Sequence, residues 1–312
     1  MNTLKTLCGA MLVASLASCD TGTDPKLTIS RPDADIQGDG LHGAIAFHSI
    51  QAGTWDIWIT NADGTGATRL TDDAGDEFGP RFSPDGRRIA FSSSRDGDFE
   101  IYVMHADGTG LTQLTNVPSD FEPTWSPDGR RIAFNSNRDG DFHVYVMNAD
   151  GSAVRQLTFG AGISESPTAW SPDGRKIAVR SNRTGQNELY VMNVDGSGVT
   201  QLTTNEGDGD QAGWSPSAQQ FLFSSNRDGG HLHIFVMNPD GSGVTQLTSG
   251  DFEDDDPVWS PDGKKIAFWS FRDGPDGEIF VMNADGSGPT RVTHGVDNDF
   301  VPTWRAEPLA SR

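Results

Sequence analysis

Only two cysteines occur in 312 residues, and Cys8 falls inside an apolar leader, so the chain beyond Cys19 has no internal disulfide to brace it. Basic residues are scarce as well: 23 Lys and Arg stand against 44 Asp and Glu, a formal charge of −21. Such acidity repels phosphate backbones and argues against nucleic acid as a partner. No apolar run is long enough to span a bilayer; the one in residues 1–19 is too short and no stop-transfer pattern follows it. There is no G-x-S-x-G nucleophile elbow and no Gly-rich phosphate loop opening a helix, which removes the plainest hydrolase and nucleotide signatures. With 35% hydrophobic residues the chain is still too apolar for a disordered acidic polymer, and it is long enough for one large domain.

Residues 1–19, MNTLKTLCGAMLVASLASC, combine a Lys-bearing start, an apolar run and small residues before Cys19, the layout of a secretory signal. Leu16-Ala17-Ser18-Cys19 resembles the lipobox of bacterial lipoproteins, which implies that Cys19 is lipidated and becomes the N-terminus. An ordinary cleaved signal with an incidental cysteine is the plainer alternative. Residues 20–40 are polar and unpatterned and read as a flexible tether; 41–305 read as the folded domain and 306–312 as a tail. The expectation is an exported periplasmic lipoprotein of a bacterial envelope, monomeric, touching the membrane through its lipid alone.

The folded span repeats itself. WSPDGRRIAF at Trp125 returns as WSPDGRKIAV at Trp170 and WSPDGKKIAF at Trp259, with FSPDGRRIAF at Phe82. The aromatic before Ser-Pro recurs at Phe82, Trp125, Trp170, Trp214 and Trp259, and Trp304 stands where a sixth is due; the steps of 43 to 45 residues are those of propeller blades. Four short apolar runs fill each period, typified by EPTW, IAF, VYVM and RQLT. The SPDG, NRDGD and NADGS segments between them supply the Asp-Gly turns that tight hairpins need. Four antiparallel strands per period predict an all-β, six-bladed β-propeller. The first repeat lacks a leading Trp strand, while the chain ends on an orphan one, FVPTW at Phe300–Trp304. That orphan is expected to complete the first blade and leave no open seam, which makes residues from about 296 onward essential.

The W-S-P-D-G-[RK]-[RK]-I-A-F core, the R-D-G turn and the Y-V-M-N-A-D-G strand end resemble the WD-repeat-like propeller repeat of the TolB family, over roughly residues 40–305. TolB is the periplasmic partner in the Tol–Pal envelope system. The resemblance implies the six-bladed fold and a protein-binding habit. It also implies a lipoprotein member without the α/β domain that precedes the propeller in TolB, since only the tether lies between Cys19 and the first blade.

Strand alternation places the loop after each RQLT run on the same face as the turn before VYVM. Those loops are acidic and free of Lys and Arg: DDAGDEFG, VPSDFE, GISES, NEGDGD, GDFEDDD and GVDNDF. An acid stands five residues before the aromatic at Glu77, Asp120, Glu165, Asp254 and Asp299, and Asp210 lies one residue nearer. With these strands innermost, six carboxylates approach the axis as a ring, reinforced by Asp255 and Asp256. One reading has the ring attracting a basic patch, a polar ligand or a cation such as Ca²⁺, which needs several oxygen ligands. The other has each acid paired with the Arg of an R-D-G turn on that face: Arg95, Arg138, Arg183, Arg227 or Arg272.

His231 and His233 sit two residues apart in a strand, as metal ligands can, but His233 occupies the slot of Glu100, His143, Glu188 and Glu278 and reads as a blade-surface residue. The residue after IAF varies through His48, Ser92, Asn135, Arg180, Ser224 and Trp269, as a surface shaped for one ligand would. The function these features favour is a non-catalytic envelope scaffold presenting an acidic channel mouth to a protein partner. The alternatives are a propeller-fold polysaccharide lyase, needing His with acids or Arg at the axis, and a glycan-binding module, needing exposed aromatics at a mouth, Trp269 first.

Overall fold

The computed structural model of the protein describes residues 43–51, 53–204, 211–295 and 297–306; Cys19, the leader, the tether and Asp210 lie outside them. Six four-stranded antiparallel sheets form the six blades. In the second blade the order from the axis outward is Glu77–Phe82, Arg88–Ser93, Glu100–His105 and Thr112–Gln113. The innermost strand of the first blade is Asp299–Trp304, antiparallel to Ala44–Ser49, with Trp304 opposite Ile45. The shared-blade closure read from the orphan FVPTW is therefore the observed topology. Among the described residues no helix is long and apolar enough to cross a membrane.

A single blade cannot bury both of its faces, so the hydrophobic core lies between blades. It divides into six clusters, each mixing residues of two neighbours. The one that seals the ring joins Ala267, Trp269, Ile279 and Val281 of the sixth blade to Ile45, Phe47, Phe300 and Trp304 of the first. The recurring Trp also stitches neighbours through its polar edge: the Nε1 of Trp125 donates to the Arg81 carbonyl, and that of Trp170 to the Thr124 carbonyl, each at 3.1 Å. The second basic residue of SPDGRR has its own task. Arg88 lies 4.5 Å over the ring of Trp125 and Arg131 lies 4.8 Å over Trp170, both across a blade interface.

The outermost strands are shorter than the RQLT runs suggest, two residues each, as in Arg155–Gln156. Beyond Gln156 the chain turns inward: Leu157 is buried, and the hydroxyl of Thr158 accepts the Val144 backbone N–H at 3.0 Å. The same Thr replaces a ladder bond at Thr71, Thr115, Thr203, Thr248 and Thr293. The outer edge is thus too short to recruit another strand.

Two expectations need correction. Trp269 is 2% exposed, wedged against Phe300 and Phe271, so it offers no face to a ligand. His233 is not on a blade surface either. It is buried, with Nδ1 3.9 Å from Oδ2 of Asp254, because its slot faces the neighbouring blade's innermost strand.

Candidate functional site

The recurring acids start the innermost strands, where the chain enters from the loop face. Glu77, Asp120, Glu165, Asp254 and Asp299 are all buried. Each has its backbone N–H bonded to a carbonyl of the preceding blade: Trp55, Phe99, Phe142, Leu232 and Gly277 respectively, at 2.8–2.9 Å. Four carboxylates meet the Arg of their own blade's turn, R-D-G in three blades and R-T-G at Arg183. Arg95 Nη2 is 3.0 Å from Glu77, Arg138 Nη2 2.9 Å from Asp120 and Arg272 Nη2 2.7 Å from Asp254, while Arg183 contacts Glu165. The strand serine braces each pair; Ser136 Oγ accepts Arg138 Nε at 2.9 Å. Each guanidinium also covers an aromatic ring of the third strand, Arg138 at 4.7 Å over Tyr145. Burial pushes the Glu77 carboxyl up to about 7 even with Arg95 beside it, and raises Asp120 as well. These acids therefore lie beneath the rim. Asp299 differs, because the corresponding turn of the first blade has no Arg, and burial lifts it to about 7.

With Arg95, Arg138 and Arg272 turned onto buried acids and Arg183 alone exposed among the paired arginines, the outward charge of this face falls mostly to other residues: Asp72, Asp96, Asp98, Asp139, Asp228, Asp251 and Asp273 are exposed. Among the described residues no three His, Cys, Asp or Glu side chains are grouped to hold a metal ion.

Deeper in the channel the innermost strands bulge. The ladder to the second strand slips between Phe78 and Arg81, Phe121 and Thr124, and Asp255 and Val258. At these bulges Gly79, Glu122 and Asp256 take positive φ, and Val301 does so in the closing strand, at 54°. Non-glycine residues held this way store strain, which clusters where structure serves function. Arg81 reaches across the axis from the second blade to Gln211 Oε1 at 3.3 Å, and the charges of Asp256 and Glu122 act on it. Arg180 lies 3.8 Å from Glu122, and Trp269 Nε1 donates to Asp256 at 2.7 Å. Arg81, Gln211, Asp256 and Thr168 line a cavity of about 240 Å³ that runs toward the SPDG face. These non-repeating residues escape a reading by repeat slots, because their side-chain direction depends on the bulges.

The mouth itself carries a feature spread over two slots per blade. One slot precedes the third strand; the other is the second position of the innermost strand. Around the first three blades both are aromatic, giving an arc of six rings: Phe300, Trp55, Phe78, Phe99, Phe121 and Phe142. Successive centroids are 5.7, 5.7, 5.6, 4.8 and 6.0 Å apart. His48 sits under the arc, 5.1 Å from Trp55 and 5.3 Å from Phe78. Burial, with Arg81 nearby, lowers His48 to about 3, so its imidazole is neutral, and its Nδ1 lies 3.4 Å from the Gly79 N–H. The signal in the sequence was the Asp-Phe pairs at Asp98-Phe99, Asp120-Phe121, Asp141-Phe142 and Asp299-Phe300.

Comparison with known proteins fits this geometry. No curated protein matches the chain. Among solved structures, TolB from Acinetobacter baumannii superposes with a TM-score of 0.76 at 21% identity, over 86% of this chain and 67% of that one. A TolB-type structure from Agrobacterium tumefaciens gives 0.65 at 21%, over 84% and 98%. An oligogalacturonate lyase in complex with manganese gives 0.53 at 15%, over 79% and 72%. At such identities these likenesses show the fold alone. The family model described as the TolB beta propeller domain matches residues 38–169, 160–251 and 212–308, nearly the whole folded span, and the chain belongs to that family.

Proposed function

We propose that this protein is a non-catalytic binding scaffold of the bacterial cell envelope, exported and held at the membrane by lipid on Cys19, whose acidic loop face engages a protein partner. One observation carries the reading: Arg95, Arg138 and Arg272 of that face are turned onto buried acids, so its exposed charges among the described residues are seven aspartates against the single exposed Arg183. A surface with one sign of charge steers and selects a partner of the other. The family match supports a binding role. The lyase likeness, at 15% identity, carries only the fold.

Affinity capture from envelope extracts tests the proposal, comparing the wild-type protein with a variant in which Asp72, Asp98, Asp228, Asp251 and Asp273 are all changed to Asn. A partner recovered by the first and lost by the second is expected. Equal recovery of every captured protein refutes the acidic-face reading. The anchor has its own test: Cys19→Ser moves the protein from the membrane fraction to the soluble one.

A further inference from the structure

Four rings of the arc, Phe78, Phe99, Phe121 and Phe142, are not explained by the architecture, whereas Phe300 belongs to the cluster that seals the ring and Trp55 packs against it. A side chain the blades need recurs in kind in all of them, as the aromatic that ends the innermost strand and the Ile or Phe near the start of the second strand do. In the two arc slots the rings fill three contiguous blades, and around the rest of the mouth the same slots hold Ser166, Asn187, Gln211, Leu232, Asp255 and Gly277. Phe78, Phe99, Phe121 and Phe142 are half-buried, and none is part of the six core clusters; their contacts with one another run along the rim. Leaving such rings in water has a cost that a partner recovers.

Charge says what kind of partner. Asp72 and Asp98 are exposed beside the arc, and Asp76 and Asp141 are half-buried there. The nearest guanidinium groups, of Arg95 and Arg138, are committed to Glu77 and Asp120. Ring faces bordered by carboxylates attract a cation twice, through the π quadrupole and through the charge. We infer that the aromatic arc over the first three blades docks a peptide segment of the partner that carries Lys or Arg flanked by apolar side chains. The apolar side chains lie on the rings and the cations reach the aspartates; the polar half of the mouth stays outside the contact. A neutral glycan stacks on rings and donates its hydroxyls to aspartates, but it carries no cation to answer their charge, and an acidic one is repelled. This inference rests on the protein-binding reading above and names the chemistry of the partner.

The test uses full-length protein and fluorescence anisotropy with three labelled synthetic peptides of equal length: alternating Lys and Phe, Glu in place of Lys, and Ser in place of Phe. Chitohexaose is the glycan probe. The Lys–Phe peptide is expected to bind, more weakly as salt rises, and the other two to bind at least about tenfold less well, the usual effect of losing an anchor. The double substitution Phe99→Ser, Phe121→Ser weakens the Lys–Phe peptide by about tenfold or more, while Asn187→Ala leaves it unchanged. Phe99→Leu with Phe121→Leu keeps apolar volume and serves if the Ser variant melts early; it still weakens binding by removing the ring faces. Unchanged affinity in the Leu variant, equal binding of the Glu–Phe peptide, or chitohexaose binding that depends on the same rings each overturns the inference. Should the Phe99→Ser, Phe121→Ser protein still capture a partner that the aspartate variant loses, the arc is irrelevant and the scaffold reading survives.

Discussion

Trp304 lies opposite Ile45 across the first sheet, so the last strand of the propeller is bonded to its first. Trp304 and Phe300 are 6% and 5% exposed and belong to the cluster that joins the sixth blade to the first. Removing residues 297–312 strips that blade of its innermost strand and opens an edge toward the axis. The truncated chain is expected to lose the single cooperative urea transition of the whole protein. Trp304→Ala keeps the backbone pairing and removes only the wedge, at a cost of about 3–5 kcal/mol.

That closure was legible in the sequence because it needed only counting: six IAF runs, five leading aromatics and one orphan. The turns were legible for a local reason, since Asp-Gly fixes the backbone without help from the rest of the fold. The fate of the side chains was less so. Glu77 and Asp120 recur like ligands and like structural residues alike, and only the positions of Arg95 and Arg138 separate the two. Trp269 looked free to face a ligand because its slot varies, yet the bulge at Asp256 turns a carboxylate onto its Nε1 and Phe300 covers its face. The positive φ of Glu122, Asp256 and Val301 has no local cause that a sequence displays. Tertiary packing imposes it.

The pair between Arg138 and Asp120 predicts an asymmetry. Asp120 is fully buried, and burial already raises its pKa, so the arginine offsets a large desolvation cost. Arg138→Met leaves the carboxylate stranded and is expected to destabilise the protein by about 3–5 kcal/mol at pH 7. Adding Asp120→Asn removes the stranded charge and restores much of the loss. Additive losses in the double variant, read from urea midpoints, refute the account.

Gly277 owes its identity to a ring rather than to backbone freedom. A Cβ there would lie 2.1 Å from a ring carbon of Phe300, which must then move. Gly277→Ala is expected to cost about 1–3 kcal/mol by overpacking. The smaller side chain of Phe300→Leu should relieve most of that increment, so the Gly277→Ala effect shrinks in the Leu background. An effect of equal size in both backgrounds would place its cause elsewhere.

Asp299 is the buried rim acid whose turn supplies no arginine. Burial pushes it up to about 7, the Glu278 charge adds to the rise, and Ser49, Thr293 and Gln51 pull it partly back. Because the folded protein holds this proton more tightly than the unfolded chain, stability falls as pH rises from about 4 toward 7, then levels once both states have lost it. The penalty is on the order of a few kcal/mol, at about 1.4 kcal/mol per unit of pKa. Asp299→Asn keeps the shape and abolishes the titration. Its melting temperature should exceed that of the wild type at pH 8, and the gap should close toward pH 4. Equal melting temperatures at pH 8 would mean that solvent or a counter-charge reaches the carboxylate, and that the first blade has an equivalent of the arginine it lacks.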